Sequence, residues 1–92
     1  MLNVTEVYED NQKFSLREIL VNPDHISHAR EDYYVPTRIK ETNSLLELND
    51  HVSFTRLFID RGNMGTEIVI VGSIADINKK FNKLSQKVIL KD

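Results

Sequence analysis

The chain has 92 residues, 40% of them hydrophobic and 28% charged, with 12 Lys or Arg against 14 Asp or Glu and a formal net charge of -2. This describes one globular domain with one core. It excludes a global basic field for a nucleic-acid backbone, and the lack of cysteine excludes disulfides and thiolate chemistry.

"LNVTEVY" (Leu2–Tyr8) alternates Leu2, Val4 and Tyr8 with polar neighbours, broken at Glu6, and reads as a strand with one apolar face. "EDNQ" (Glu9–Gln12) is polar turn material. "KFSLREILV" (Lys13–Val21) sets Phe14, Leu16 and Leu20 on one parity, which predicts a second strand antiparallel to the first. Pro23 has no backbone donor and biases Asn22 away from the helical region, so the chain turns there. "DHISHARED" (Asp24–Asp32) follows. As a strand it puts Ile26, His28 and Arg30 on one face and His25, Ser27, Ala29 and Glu31 on the other. A helix would gather Ile26, Ala29 and Arg30 around a single large apolar side chain, so the strand is preferred.

"YYVPTRIKETNSLLELND" (Tyr33–Asp50) has no sustained period and is interrupted by Pro36. It is expected to be a long connection anchored at Leu45, Leu46 and Leu48, and connections of this length are usually functional or mobile. "HVSFTRLFID" (His51–Asp60) is β-branched and aromatic, a strand, and "RGNMG" (Arg61–Gly65) a hairpin loop. "TEIVIVG" (Thr66–Gly72) is nearly continuous in apolar residues and should be the central strand. Ser73 with Asp76 three residues on forms a capping pair for a helix whose stripe is Ile74, Ile77, Phe81 and Leu84. "KVILKD" (Lys87–Asp92) is expected to add an edge strand or an intersubunit tail. The sum is α+β: a mostly antiparallel sheet of four or five strands with one C-terminal amphipathic helix. Leu57 and Ile59 are expected on the uncovered face, available to a second protomer.

The segments "LVNPDHI" (Leu20–Ile26), "FTRLFIDRGN" (Phe54–Asn63) and "EIVIVGSIADINKKF" (Glu67–Phe81) give the chain a family likeness. It resembles the FlbD-type proteins of flagellar operons, also called swarming-motility SwrD proteins. That resemblance implies an N-terminal hairpin, an asparagine–acidic–isoleucine element, two further strands and a closing amphipathic helix. It covers about two-thirds of the chain. The stretch 33–50 departs from the family, whose members connect more tightly there. The pieces encode mostly core and turn, so the resemblance bears on the fold more than on a flagellar role. Small phage proteins can share the layout.

Functional groups are densest in "NPDHISHAREDYY" (Asn22–Tyr34). On a helix His25 and His28 would share a face and could ligate a metal with Asp24 or Asp32; on a strand they diverge, and no HExxH spacing is present. Glu31 and Asp32 are adjacent, which parts their side chains in a strand, and Ser27 beside His28 is not a triad. No catalytic residue, metal or cofactor is expected. "GNMG" joins two strands and lacks the ending of a phosphate loop. Arginine forks recognise phosphates and aromatic rings stack bases, so Arg30, Arg56 and Arg61 with Tyr33 and Tyr34 are the candidate ligand-binding residues, and Phe58 could add a stacking surface.

The expectation is therefore a small non-catalytic regulatory or adaptor protein acting as a homo-oligomer. The alternative is an oligomeric protein that sequesters a nucleotide-like anion, as a phage could use against host signalling. The absence of a signal-peptide pattern or a bilayer-length apolar run suggests a cytoplasmic setting, in a bacterium or an infected host cell, with no membrane or nucleic-acid partner.

Overall fold

The structure is a computed structural model that describes residues 1–42, 52–62 and 64–89, with the side chains of 40–42, 61, 64 and 84–89 outside the description. Five strands form one sheet: β1 (Leu2–Asp10), β2 (Lys13–Val21), β3 (Ile26–Glu31), β4 (Phe54–Arg61) and β5 (Met64–Val71). Two helices accompany them, α1 (Tyr34–Thr42) and α2 (Ile74–Ile89). The strand order is β2-β1-β5-β4-β3, every neighbouring pair is antiparallel, and β5 lies at the centre as its apolar run predicts. The fold is the expected α+β sheet with a C-terminal helix.

Two hairpins build it. Asp10 pairs with Lys13 across a two-residue turn in which Asn11 (φ 51) and Gln12 (φ 66) are both left-handed, the conformation that lets a hairpin follow the strand twist. Arg61 pairs with Met64 across the second turn, where Gly62 has φ 71. The two hairpins meet along β1 and β5 at only two registered pairs, Glu6 with Ile70 and Val7 with Val69.

Alternation splits the core in two. Leu2, Val4, Val21, Leu57, Ile59 and Ile70 pack with Ile77 of α2 on one face, and Phe81 adds to them. Val7, Phe14, Phe54 and Val69 pack with Val35 of α1 on the other, joined by Ile39. Each fully buried aliphatic side chain contributes about 1.5–3 kcal/mol. Leu57 (0% exposed) and Ile59 (9%) therefore lie in the α2 core and are not available to a second protomer, contrary to the sequence reading. Glu6 breaks the alternation of β1 because it accepts a hydrogen bond from Arg17 Nε at 2.7 Å, and the Arg17 guanidinium lies 4.4 Å from the Tyr8 ring centre.

Three other expectations are corrected. The stretch 33–50 is not all connection: its first part is α1, and 43–50 lies outside the described residues. Pro36 does not block the helix, because the first helical bond runs from Thr37 N–H to Tyr33 O, so Pro36 falls in the first turn where an amide hydrogen has no partner to lose. The segment 87–89 continues α2 and does not form an edge strand, while 90–92 is outside the described residues. Finally, the register of β3 shifts between Ile26 and His28, a bulge at Ser27. It returns Ile26 to the α2 face beside Ala29 and leaves His28 and Arg30 on the α1 face, where simple alternation had grouped all but Ala29 together.

The capping pair of α2 forms as predicted: Asp76 N–H donates to Ser73 Oγ at 3.1 Å and Ser73 N–H to Asp76 Oδ2 at 3.3 Å. Because Gln12 has a left-handed backbone that a side chain disfavours by about 1 kcal/mol, Gln12→Gly should stabilise the fold by roughly 0.5–1 kcal/mol, read as a raised urea midpoint with an unchanged m-value.

Candidate functional site

The α1 face of β3, β4 and β5 gathers most of the residues singled out in the sequence. Register sets Arg30 opposite Arg56 and His28 opposite Phe58, then Arg56 opposite Val69 and Phe58 opposite Glu67. Two facing arginines need counter-charge, and Asp32 supplies it. This aspartate follows the last residue of β3 and is 4% exposed. Its Oδ1 accepts from Arg56 Nη2 at 2.7 Å and from Arg56 Nε at 3.0 Å. Its Oδ2 accepts from Val35 N–H at 2.8 Å, which caps α1, and its own N–H donates to Phe54 O at 2.8 Å. Arg56 completes its fork by donating from Nη1 to Glu67 Oε2 at 2.8 Å. Hydrogen bonds to Asp32 and then to Glu67 raise the Arg56 guanidinium above its ordinary pKa.

Arg30 takes the opposite course. It is exposed, and its guanidinium lies 5.2 Å from the centre of the Phe58 ring, a cation–π contact. His28 stacks on the same ring with centroids 4.0 Å apart and planes 16° from parallel. Ser27, the bulge residue, donates to Phe58 O at 3.1 Å and lies 3.2 Å from His28 Nδ1, which ties the bulge to the stack. Beside this stack, at the end of the β4–β5 hairpin, is an open groove of about 590 Å³ lined by Ser27, His28, Phe58, Asp60, Thr66 and Glu67.

The tyrosines lie further along the chain. Tyr33 (70% exposed) donates from its hydroxyl to Glu31 Oε2 at 3.0 Å, a bond that raises its phenol pKa, and Tyr34 (54% exposed) opens α1. Arg61 ends β4, with its side chain outside the described residues. His25 closes a short 3₁₀ turn at Pro23–His25, and among the described residues no three metal-ligating side chains converge.

Three of the five residues proposed for one anion site have partners within the fold. Arg56 is committed to Asp32 and Glu67, Arg30 leans on Phe58, and Tyr33 is bound to Glu31. Asp32 and Glu67 are the residues that the sequence reading passed over in this role. A signal for Asp32 existed: an aspartate three residues ahead of Val35, with Val35 and Ile39 four apart, is a helix start. Nothing local marked Glu67, whose partner is eleven residues away across a hairpin.

A scan against protein-family models found no match, and neither the search of curated proteins nor the search of solved structures found a similar protein.

Removing one member of a buried ion pair leaves the other uncompensated, so Asp32→Asn should cost about 3 kcal/mol in chemical denaturation. Glu67→Gln, at the half-exposed end of the network, should cost at most about 1 kcal/mol in the same measurement.

Proposed function

We propose that the chain is a small non-catalytic adaptor that acts as a homo-oligomer through protein contacts. The observation that carries this reading is the distribution of satisfied and unsatisfied surface. The best-formed polar cluster is internally neutralised and serves the fold, whereas Leu16 (40% exposed) and Leu20 (63%) stand along β2, the outer strand of the sheet. A two-residue hairpin turn is closed by a pair that exchanges hydrogen bonds, so Lys13 and every second residue after it face β1. Phe14, Leu16, Glu18 and Leu20 then turn their N–H and C=O groups outward, and among the described residues no strand covers them. A nine-residue, regular edge with exposed leucines is suited to pairing with a like strand.

Antiparallel pairing of β2 with the same strand of a second copy, centred on Glu18, sets Leu16 beside Leu20 of the partner subunit on one face. The same register opposes Glu18 to its copy, a like-charge pair that weakens the contact. In light scattering after size exclusion, the native chain should run as a dimer or larger and the double variant Leu16→Glu, Leu20→Glu as a folded monomer. Glu18→Gln should tighten self-association by about tenfold or less. A native chain that is monomeric at high concentration would sink this reading. A cytoplasmic setting is part of the proposal.

A second reading, sequestration of a nucleotide-like anion, is favoured by Arg30, which has an aromatic partner but, among the described residues, no carboxylate partner, and stands beside the His28–Phe58 stack. It ranks lower because Asp60 and Glu67 line the adjoining groove and oppose an anion. On the adaptor reading, a panel of linear and cyclic nucleotides leaves the melting temperature unchanged. A rise with one of them, lost in Arg30→Ala, would reverse the ranking.

A further inference from the structure

We propose that the cleft between the outer edge of β3 and helix α2 is a docking site for a short extended segment of a partner protein, one that carries an apolar residue between two acidic ones. The inference rests on the adaptor reading for the class of partner, but not on the β2 contact.

Three observations define the occupant. The first is backbone. Among the described residues β3 pairs with β4 alone, and Asp32 N–H donates to Phe54 O at 2.8 Å. Because antiparallel residues alternate in the direction of their hydrogen bonds, Arg30 and His28 face β4, and Ala29 and Glu31 present their N–H and C=O groups outward. An extended segment can take these up as a sixth strand.

The second is the cleft itself. It has a volume of about 260 Å³ and is lined mainly by apolar side chains, among them Ile26, Ala29, Ile74 and Phe81. Ile74 is 43% exposed although it opens an amphipathic helix whose Ile77 is buried. Asn78 lies at the cleft as a polar group able to reach a bound backbone. In an added strand, the residue opposite Ala29 shares its face and enters this cleft. It must be apolar and of moderate size.

The third is charge. The neighbours of that apolar residue fall opposite His28 and Arg30 on the α1 face, both exposed. An opposite charge directly across a strand pair stabilises it at Arg30, and the His28 ring can donate a hydrogen bond to a carboxylate, so these neighbours are acidic. The same pattern disfavours a second copy of β3. Antiparallel self-pairing with faces matched sets Arg30 against Arg30 or His28 of the other copy, or Glu31 against Glu31. The bulge at Ser27 also limits the usable edge to a few residues, which suits a short segment better than a continuous sheet.

The test uses a blocked pentapeptide, TEVET, which reads the same in parallel and antiparallel directions, and its charge-swapped form, TKVKT. Titrated into nitrogen-15-labelled protein, TEVET should move the backbone amides of Ala29 and Glu31 and the side-chain amide of Asn78, and bind about tenfold or more tighter than TKVKT. Ile74→Asp, placed in the first helical turn where an acidic residue suits the dipole, should keep the helix by circular dichroism and weaken TEVET by about tenfold or more. Arg30→Glu should reverse the preference between the two peptides, which a purely structural Arg30 would not do. The Leu16→Glu, Leu20→Glu variant should bind TEVET as the native chain does, so that failure of the β2 contact and failure of this site are told apart. The proposal is overturned if TEVET at millimolar concentration moves no β3 amide, if both peptides bind alike, or if the β3 edge amides are protected in the free protein in a concentration-dependent way, the mark of a second copy.

Discussion

The Asp32 carboxylate is the joint on which this fold depends. Its two oxygens work in different directions, one toward the start of α1 and the other toward Arg56, while its backbone N–H fastens to β4. Burying a carboxylate carries a large desolvation cost, which is offset here by a two-point guanidinium contact, a helix-cap bond and the favourable end of a helix dipole. Through Arg56 the contact reaches Glu67 and so spans β3, β4 and β5. It also fixes where α1 begins, and therefore whether Val35 and Ile39 land on Phe14, Val7 and Val69. One charge thus sets the second layer of the fold, and by neutralising Arg56 it lets Arg30 stand opposite it.

The strands were legible because their information is local. The alternation of β1 and β2, the apolar run of β5 and the Ser73–Asp76 cap each sit within a few residues of one another. What was not legible depended on partners distant in sequence. Pro36 reads as a breaker until Asp32 is seen to start the helix ahead of it. The bulge at Ser27 shifts the phase of a strand whose residues give no sign of it, since Ser27 is held by Phe58 O, 31 residues on. Leu57 and Ile59 could be placed on one face but not assigned to the covered one, because that depends on where α2 lands. The candidate site was legible as a neighbourhood and not as a chemistry. Arg30, Arg56 and Phe58 do lie together, but only the fold shows that Arg56 is already spent on two carboxylates.

The two borders of the sheet differ in kind. β2 is nine residues long, regular in register and marked by exposed leucines; β3 is six residues long, bulged and charged. Long regular edges favour extended pairing with a similar strand, and short charged edges discriminate by sequence. On the two proposals made above, the chain assembles with itself at one border and selects a different partner at the other. Helix α2 reinforces the division, since it forms a wall beside β3 and Lys80 on it donates to Asn3 O of β1 at 3.1 Å.

The short seam between β1 and β5 has a mechanical consequence. With two registered pairs at the middle of a five-stranded sheet, the halves are joined less by the hydrogen-bond ladder than by side chains packed across it, Val4 with Ile70 on one face and Val7 with Val69 on the other. Hydrogen bonds resist shear because they are directional, whereas apolar contacts tolerate small changes of angle. A seam of two pairs therefore leaves side-chain packing, more than the hydrogen-bond ladder, to set the angle between the two hairpins.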